Sequence, residues 1–347
     1  MKSIRNLIKY IGKRQVKPRV VGLTYDLKKE YVFKKDDPPD ANAELDPDYI
    51  IQIVTQALER PGHKVIRIGN AEKLLKFLKE GHKVDIVFNL AEGIYGRNRE
   101  SQIPIILEMC RIPFIGSDGL TLGLTLDKIN TKKILSFEGI PTPKFIGIND
   151  IASMDGRCLN FPLIVKPRYE GSSKGLDEKA VVTNISKLKK RADWLIATYK
   201  QPALVEEFIS GQEFTVAVVG NKNPVVLPPV QVRIEGKLNL GNMFYSHSRI
   251  NSTSLDYVCP AKISKKLEEK IKVYALRTYQ TVECRDFGRI DFRVDKKGNP
   301  YVLEINPLPS LSTEDTFAIV GTYLGIGYER MVNWILEEGL IRNGLIN

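Results

Sequence analysis

YVLEINPLPSLS, Tyr301 to Ser312, sets a carboxylate and an amide at alternate positions of an otherwise apolar run and then breaks it with two prolines. A strand sends alternate side chains to one face, so Glu304 and Asn306 point the same way among Val302, Leu303 and Ile305. An ionised carboxylate in that setting is costly unless a countercharge or a hydrogen bond meets it. The stretch alone leaves two readings open: a strand end bonded to a neighbouring loop, or a ligand site.

Just upstream, FGRIDFRVDKKGNP supplies a second alternating strand and a turn at Lys297-Gly298-Asn299, so the two strands form a hairpin. On it Asp291 and Glu304 share a face, with Arg289 and Asn306 beside them. Two carboxylates and an amide oxygen are an oxygen-only donor set, which favours a hard ion, magnesium with manganese as its substitute, sharing its shell with phosphate oxygens. The ion supplies the missing countercharge. Further upstream, FPLIVKP reads as a strand carrying Lys166, and YEGSSKGL as a loop with Glu170, Ser172 and Ser173. ALVEEF reads as a strand with the paired Glu206 and Glu207, and EFTVAVVG with VVLPPVQV as a hairpin. A loop of glycine and small hydroxyl residues can turn backbone amides toward phosphate, although such loops are more often simply flexible. Lys128, in LTLDK, is a second candidate phosphate lysine or else an exposed helix residue.

The N-terminal third alternates differently. RVVGLTY is a strand; LDPDYIIQIVTQALERPGHKVIRIG gives a helix and a strand, with Asp46 as N-cap and Pro47 at the first helical position. VDIVFNL suits a central parallel strand, SQIPIILEMCRI a helix and PFIGS a short strand. This alternation predicts an open α/β sheet. KEYVFKKDDPPDANAE is charged and proline-rich, and is expected to be a mobile surface loop at the first strand's C-terminal end.

At 347 residues and 43% hydrophobic content, the chain can bury a substantial core divided among two or three lobes. It contains no apolar run long enough to span a bilayer and no signal-peptide pattern, so a cytoplasmic protein without a membrane partner is expected. The four cysteines lack CxxC or zinc spacing and the three histidines make a histidine metal site implausible. Of the formal charge of +11, more than half sits in the first 19 residues, which hold seven basic residues and no acids. Ile4, Leu7, Ile8 and Ile11 recur there at helical spacing, so a docked helix with a basic outer face is the ordinary explanation. A nucleic-acid partner is not expected, because no basic-aromatic platform or helix-turn-helix signature accompanies the charge.

Together, PFIGSDGLTLGLTLDK, GIPTPKF, FPLIVKPRYEGSSKGL, ALVEEFISGQEFTVAV, FYSHSRINSTSLDYVCPA and FGRIDFRVDKKGNPYVLEINPLPSLS resemble the ATP-grasp superfamily, most closely its D-alanine:D-alanine ligase branch. The resemblance runs from about Arg19 onward. It implies an N-terminal α/β domain at 19–125 after a basic extension at 1–18, then two lobes, 126–210 and 211–347, that clamp ATP. By the same resemblance Lys128 and Lys166 are the nucleotide-phosphate lysines. Glu206, Glu207, Phe208 and Ile209 form the adenine hinge, Glu213 binds ribose, and Glu170, Ser172 and Ser173 lie on the phosphate loop. Asp291, Glu304 and Asn306 resemble the magnesium ligands, Arg289 the transition-state arginine, and Ser172 the serine flanking the substrate. The implied chemistry is ligation of small carboxylate and amine substrates, amino acids or a peptide: a carboxylate attacks the γ-phosphate, and an amine displaces phosphate from the acyl phosphate. The polar GNMFYSHSRINSTSLDY is placed to be the lid over this intermediate. A homodimer through the N-terminal domain is a further family expectation.

The substrate positions depart from the dipeptide-forming pattern. GLTYDLKKEY replaces the early glycine-rich motif and its amine-binding glutamate, leaving no single residue in that role. AEGIYGRNRESQ puts Glu92 near a family histidine and adds Arg97 and Arg99, which either grip a substrate carboxylate or solvate a loop. Arg249 stands where the lid's lysine-tyrosine pair is expected. Leu308-Pro309-Ser310 replaces Ser-Pro-Gly, with Ser310 still offering its amide to an oxyanion, and Asp315 stands near the serine that receives the second substrate's carboxylate. A carboxylate there repels another carboxylate, so a product other than D-alanyl-D-alanine is expected. Two alternatives stand beside this: a genuine D-alanine:D-alanine ligase of cell-wall precursor synthesis, and a non-catalytic nucleotide-binding protein recruited to acidic partners by its basic tail.

Overall fold

In the computed structural model, which describes residues 11, 16–150, 159–245 and 254–346, three sheets follow one another along the chain. The first is parallel, order β2-β1-β3-β4, from β1 (Val20–Tyr25), β2 (Lys64–Gly69), β3 (Ile86–Leu90) and β4 (Phe114–Ile115). Every residue of β3 is buried, as an apolar run covered on both faces requires. Between the strands run α1 (Asp48–Glu59), α2 (Ala71–Lys79) and α3 (Gln102–Met109), with α4 (Gly119–Leu126) after β4.

The entry to α1 differs from expectation. Pro47, not Asp46, is the N-cap, and no side chain caps the helix; the ring's fixed φ suits either position, but the chain has turned into the helix one residue later than the capping pattern suggests. Asp46 is thereby freed from capping and its backbone instead pairs with residues near the end of β1, Lys28 N donating to Asp46 O and Asp46 N to Asp26 O.

The second sheet is antiparallel, order β5-β8-β6-β7, from β5 (Phe145–Ile148), β6 (Leu163–Pro167), β7 (Val181–Val182) and β8 (Ala203–Glu207). The apolar stripe Leu188, Ala192 and Leu195 of α6 (Ile185–Tyr199) covers one face of it, and α5 (Lys128–Phe137) leads into it. The third sheet runs β13-β11-β9-β14-β15, with β9 (Gly211–Val219), β11 (Val230–Ile234), β13 (Leu255–Val258), β14 (Phe287–Asp295) and β15 (Pro300–Asn306); β10 (Val225–Val226) and β12 (Asn239–Gly241) pair off β9. Ile271, Ala275 and Tyr279 of α7 (Lys265–Thr281) pack beneath this sheet against Val216, Ile290 and Val302.

The chain end returns to its beginning. α8 (Thr316–Leu324) and α9 (Gly327–Arg342) bury Phe317, Met331, Ile335 and Leu340 in the same core as Val21, Leu23 and Phe88 of the first sheet. Gly339 permits that approach: a Cβ there would stand 2.2 Å from Ile115 Cδ1. Asp286, fully buried, pins the junction by accepting from Gly116 N, Asn221 Nδ2 and the Arg342 guanidinium.

The segment 29–44 also departs from the expected mobile surface loop. Asp40 accepts from the Gly175 amide and the Tyr199 hydroxyl, and Glu44 accepts from the Gly171 amide. Two buried carboxylates therefore fasten this N-terminal strap to the glycine-serine loop after β6, because each is satisfied only by staying there. The amphipathic pattern at residues 4–8 lies outside the described residues, whereas Ile11 is buried in the first core. Among the described residues no helix is long and apolar enough to cross a membrane, and Cys110, Cys259 and Cys284 are free thiols.

Candidate active site

The hairpin β14–β15 sets Asp291 opposite Glu304 and Arg289 opposite Asn306, with a register irregularity immediately after Asp291. Asn299 and Lys297 amides bond the Asp295 carboxylate and Gly298 takes a positive φ of 77°, which fixes the turn and hence the register. Arg289 clasps Asp291 through Nε and Nη2 at 3.1 and 2.9 Å, and the Asn306 amide nitrogen lies 3.2 Å from Asp291. Across the cleft, Lys128 stands at the N-terminus of α5 with its ammonium 3.3 Å from Glu304. It is buried, not the exposed helix residue that sequence left as an alternative.

Lys166 projects from β6 and is held by Glu206 of β8. Glu206 is also bonded by Lys132, which sequence reasoning missed although it follows Lys128 by four residues and so shares its helix face. Two ammoniums thus share one carboxylate. Burial alone would raise the Glu206 carboxyl, but Lys132 and Lys166 outweigh it and keep it low, while burial and the neighbouring Lys166 leave Lys132 pushed down to about 8 despite Glu206.

Glu207 accepts from Asn160 N and Nδ2 at 2.9 and 2.8 Å. Phe208, edge-on to Phe244, and Ile209 line the same cleft as Lys166 and Glu213. Glu213 is buried on β9 against Arg293 at 2.9 Å. Ser172 and Ser173 occupy consecutive left-handed conformations, φ 45° and 55°, a strain of about 1–3 kcal/mol each that the strap and the Asp40 and Glu44 bonds hold in place. Glu170 is bonded by Lys174 and by Gln201 Nε2 at 2.7 Å, so its carboxylate supports the loop.

A cavity of about 950 Å³ adjoins this cleft, with Ser172, Arg289, Asn306 and Asp315 among its lining residues. Glu92 and Ser310 also line it, Ser310 accepting from Ser312 N at 3.2 Å. Asp315 begins α8 without capping it and sits 3.9 Å from Arg289. Arg99 does not grip a substrate: its Nη2 lies 2.8 Å from both Glu44 oxygens and its Nη1 donates to Tyr169 O at 2.8 Å. Arg97 leans on Asp127 at 3.6 Å with a side chain 67% exposed. Of the two alternatives left open, a carboxylate grip or solvation of a loop, Arg97 takes the second, and Arg99 takes neither, forming a buried internal ion pair. Glu44 was invisible to local reasoning because its partners lie 55 and 127 residues away. Arg249 and the middle of the lid segment, 246–253, lie outside the described residues.

Electrostatics sort the two central carboxylates. Burial would raise Glu304, but Lys128, Lys166 and Arg289 together hold it down at about 2. Burial raises Asp291, with Glu304 adding to it, while Arg289 and the Thr215 hydroxyl oppose it without overcoming it. One carboxylate is thus supplied with cations and its neighbour is under-supplied, which is where a further cation would be welcome. Among the described residues no cluster of three His, Cys, Asp or Glu side chains is placed to hold a metal; the set here is two carboxylates and an amide. That set fits a hard cation whose remaining ligands are phosphate oxygens, provided the Asn306 amide presents its oxygen.

Comparison with known proteins gives a consistent picture. A family model described as the D-ala D-ala ligase C-terminus matches residues 134–337. The D-alanine–D-alanine ligase of Carboxydothermus hydrogenoformans is 34% identical over 297 residues, covering 83% of this chain and 91% of its own. The uncharacterized protein y4sG of Sinorhizobium fredii is 36% identical over 296 residues, covering 83% and 86%. Among solved structures, the Bacillus anthracis D-alanine–D-alanine ligase complexed with ATP superposes with a TM-score of 0.72 at 21% identity, covering 94% of this chain and 99% of that one. The VanG D-Ala:D-Ser ligase of Enterococcus faecalis gives 0.70 at 19%, covering 93% and 100%.

Proposed function

The chain belongs to the D-alanine–D-alanine ligase family and has the ATP-grasp fold, and from that premise we propose how this ATP-dependent ligase uses its residues and which product it avoids. The reading rests on one observation: Lys128 pairs with Glu304 and Arg289 with Asp291, and Lys166, held by Glu206, lines the same narrow cleft where it opens into the large cavity. Phosphate groups arriving there take over the lysine charges that Glu304 and Glu206 now hold. The division into an N-terminal domain at 19–125 and lobes at 126–210 and 211–347 goes with this reading, the nucleotide lying between the lobes.

In the ligation we propose, Phe208 and Ile209 flank the base and Glu213 the ribose. Lys128, Lys166 and the amides of the Ser172-Ser173 loop receive the phosphates. Asp291, Glu304 and Asn306 would hold magnesium, which when bound neutralises phosphate charge and fixes the orientation of the γ-phosphate. Arg289, fixed by Asp291, spreads positive charge over the oxygens as the substrate carboxylate attacks. Its guanidinium resists deprotonation, since Asp291 and Asp315 outweigh its burial. Positioning by this rigid hairpin supplies much of the acceleration. The Ser310 amide faces the acyl phosphate's oxyanion as the amine displaces phosphate.

The product is an amide other than D-alanyl-D-alanine. A pocket near 950 Å³ is at the upper end of the range that holds drug-sized ligands, ~300–1,000 Å³, and Asp315 repels the carboxylate of an incoming amino acid while accepting an ammonium. The test is phosphate release and coupled product measured together across a panel of D- and L-amino acids with ATP and magnesium. Nucleotide binding with no substrate-stimulated phosphate release would leave the chain a binding protein, and efficient D-alanyl-D-alanine synthesis would return it to the ordinary branch.

A further inference from the structure

The wall that the N-terminal domain gives to the large cavity carries Asp46, Glu92 and Glu100 together with Glu44. Of these, Glu44 is spoken for by Arg99, Lys174 and the Gly171 amide. Glu100 is not. It is only 9% exposed, it lines the cavity, and no hydrogen bond reaches its carboxylate among the described residues. Arg99, its neighbour in sequence, has committed its guanidinium to Glu44 and the Tyr169 carbonyl, and Lys128 is drawn to Glu304. Glu92 and Asp46 likewise line the cavity with no side-chain hydrogen bond among the described residues.

These groups feel one another as a continuous row. Glu92 is pushed well up by burial and then by Glu100 and Glu44; burial raises Asp46 to about 7, with Asp26 and Asp315 adding. Glu100 is raised to about 7 by burial, opposed by Arg99. A buried, unpaired carboxylate such as Glu100 is costly, and the half-buried Glu92 and Asp46 on the same wall add mutual repulsion to that cost. The buried cations beside the row, Arg99 and Lys128, are already engaged, and Lys28, which also lines the cavity, is exposed to solvent, so a substrate cation can supply the compensating charge.

Resting on the ligase reading above, we propose that one of the two substrates is a basic amino acid or a diamine, whose second ammonium or guanidinium is received by Glu100, Glu92 and Asp46. A side-chain cation lying along the N-terminal wall meets this row, while Asp315, which lines the same cavity from the start of α8, is left for the reacting amine. The alternative fate of such a row is that its members stay protonated and neutral, in which case no cation preference exists.

The test compares isosteres that differ only in the terminal group: ornithine against norleucine, and lysine against 2-aminoheptanoate, each as both enantiomers. They are titrated calorimetrically into the full chain loaded with magnesium and a non-hydrolysable ATP analogue. At least one basic member is expected to bind tenfold or more tightly than its isostere, about 1.4 kcal/mol, and Glu100→Gln or Glu92→Gln to shrink that ratio fivefold or more. Equal binding within every pair, or a ratio that neither substitution moves, overturns the proposal. The wild-type ratio stands by itself should a variant fold poorly. Phosphate release in the same panel separates the two ideas: turnover with neutral amino acids only defeats the basic-substrate proposal and leaves the ligase, while absence of turnover with every pair defeats the ligase and leaves the binding ratio to be judged independently.

Discussion

Replacing Asp46 by Asn should stabilise the protein at alkaline pH and do little in mild acid. The carboxyl of Asp46 is raised from 3.8 to about 7 by burial first and then by Asp26 and Asp315. For a carboxyl raised on folding, the native state holds a proton between roughly pH 4 and 7 that the unfolded state has lost, so stability falls as pH rises through that window, with the full penalty above about 7. At about 1.36 kcal/mol per unit the shift corresponds to about 4 kcal/mol, and we halve it, to about 2 kcal/mol, for the screening that an open cavity wall allows. Asn keeps the shape and removes the charge. Urea titrations followed by fluorescence of Trp334, which is buried in the first core, in a Trp194→Phe background, report the unfolding of the relevant part without assuming that the whole chain unfolds in one step. The variant's advantage should grow by about 1–2 kcal/mol between pH 5 and pH 8.5. An advantage equal at both pH values, or a variant less stable at pH 8.5, would show that Asp46 is not strained by its charge.

Other expectations follow from the ion pairs. Arg289→Lys keeps a charge but loses the two-point clasp on Asp291 at 3.1 and 2.9 Å, so kcat should fall about 10²–10³-fold with nucleotide Kd little changed, as steady-state kinetics and a binding titration will read. Lys132→Met leaves Glu206 with Lys166 alone and deprives Thr142 of a 2.6 Å bond. We expect a loss of about 2–3 kcal/mol in chemical denaturation and a raised KM for ATP, because Lys166 is then held harder by Glu206. Asp286→Ala orphans the Gly116 amide and strips the Arg342 guanidinium of its countercharge at a fully buried site and should cost about 3–5 kcal/mol, with hydrogen exchange speeding up first in α9 and β4.

The β14–β15 hairpin was legible because its information is local. Period-two alternation, a glycine turn and two polar residues on one face bring Asp291 opposite Glu304 in the observed register. Lys166 and the Ser172-Ser173 loop were legible for the same reason, lying within one strand and its exit. What escaped was long-range. The partner of a buried charge cannot be read from its neighbours, so Arg99 looked available for a substrate although Glu44 waits in a different part of the fold. The proline-rich strap looked mobile because its composition is that of a loop, while its two anchoring carboxylates, Asp40 and Glu44, find their partners far along the chain, among them the amides of Gly175 and Gly171. Pro47 misled by one residue for a smaller reason: its ring is equally content on either side of the helix boundary.

That strap has a bearing on how specificity in such enzymes can be altered. Grafting a foreign amino-terminal half onto this chain, in the hope of importing a new substrate preference, would withdraw both clamps from the glycine-serine loop that we propose receives nucleotide. The hybrid would bind ATP poorly for reasons unrelated to its new pocket, and only a graft that carries acids at the positions of Asp40 and Glu44 would give the imported preference a fair trial.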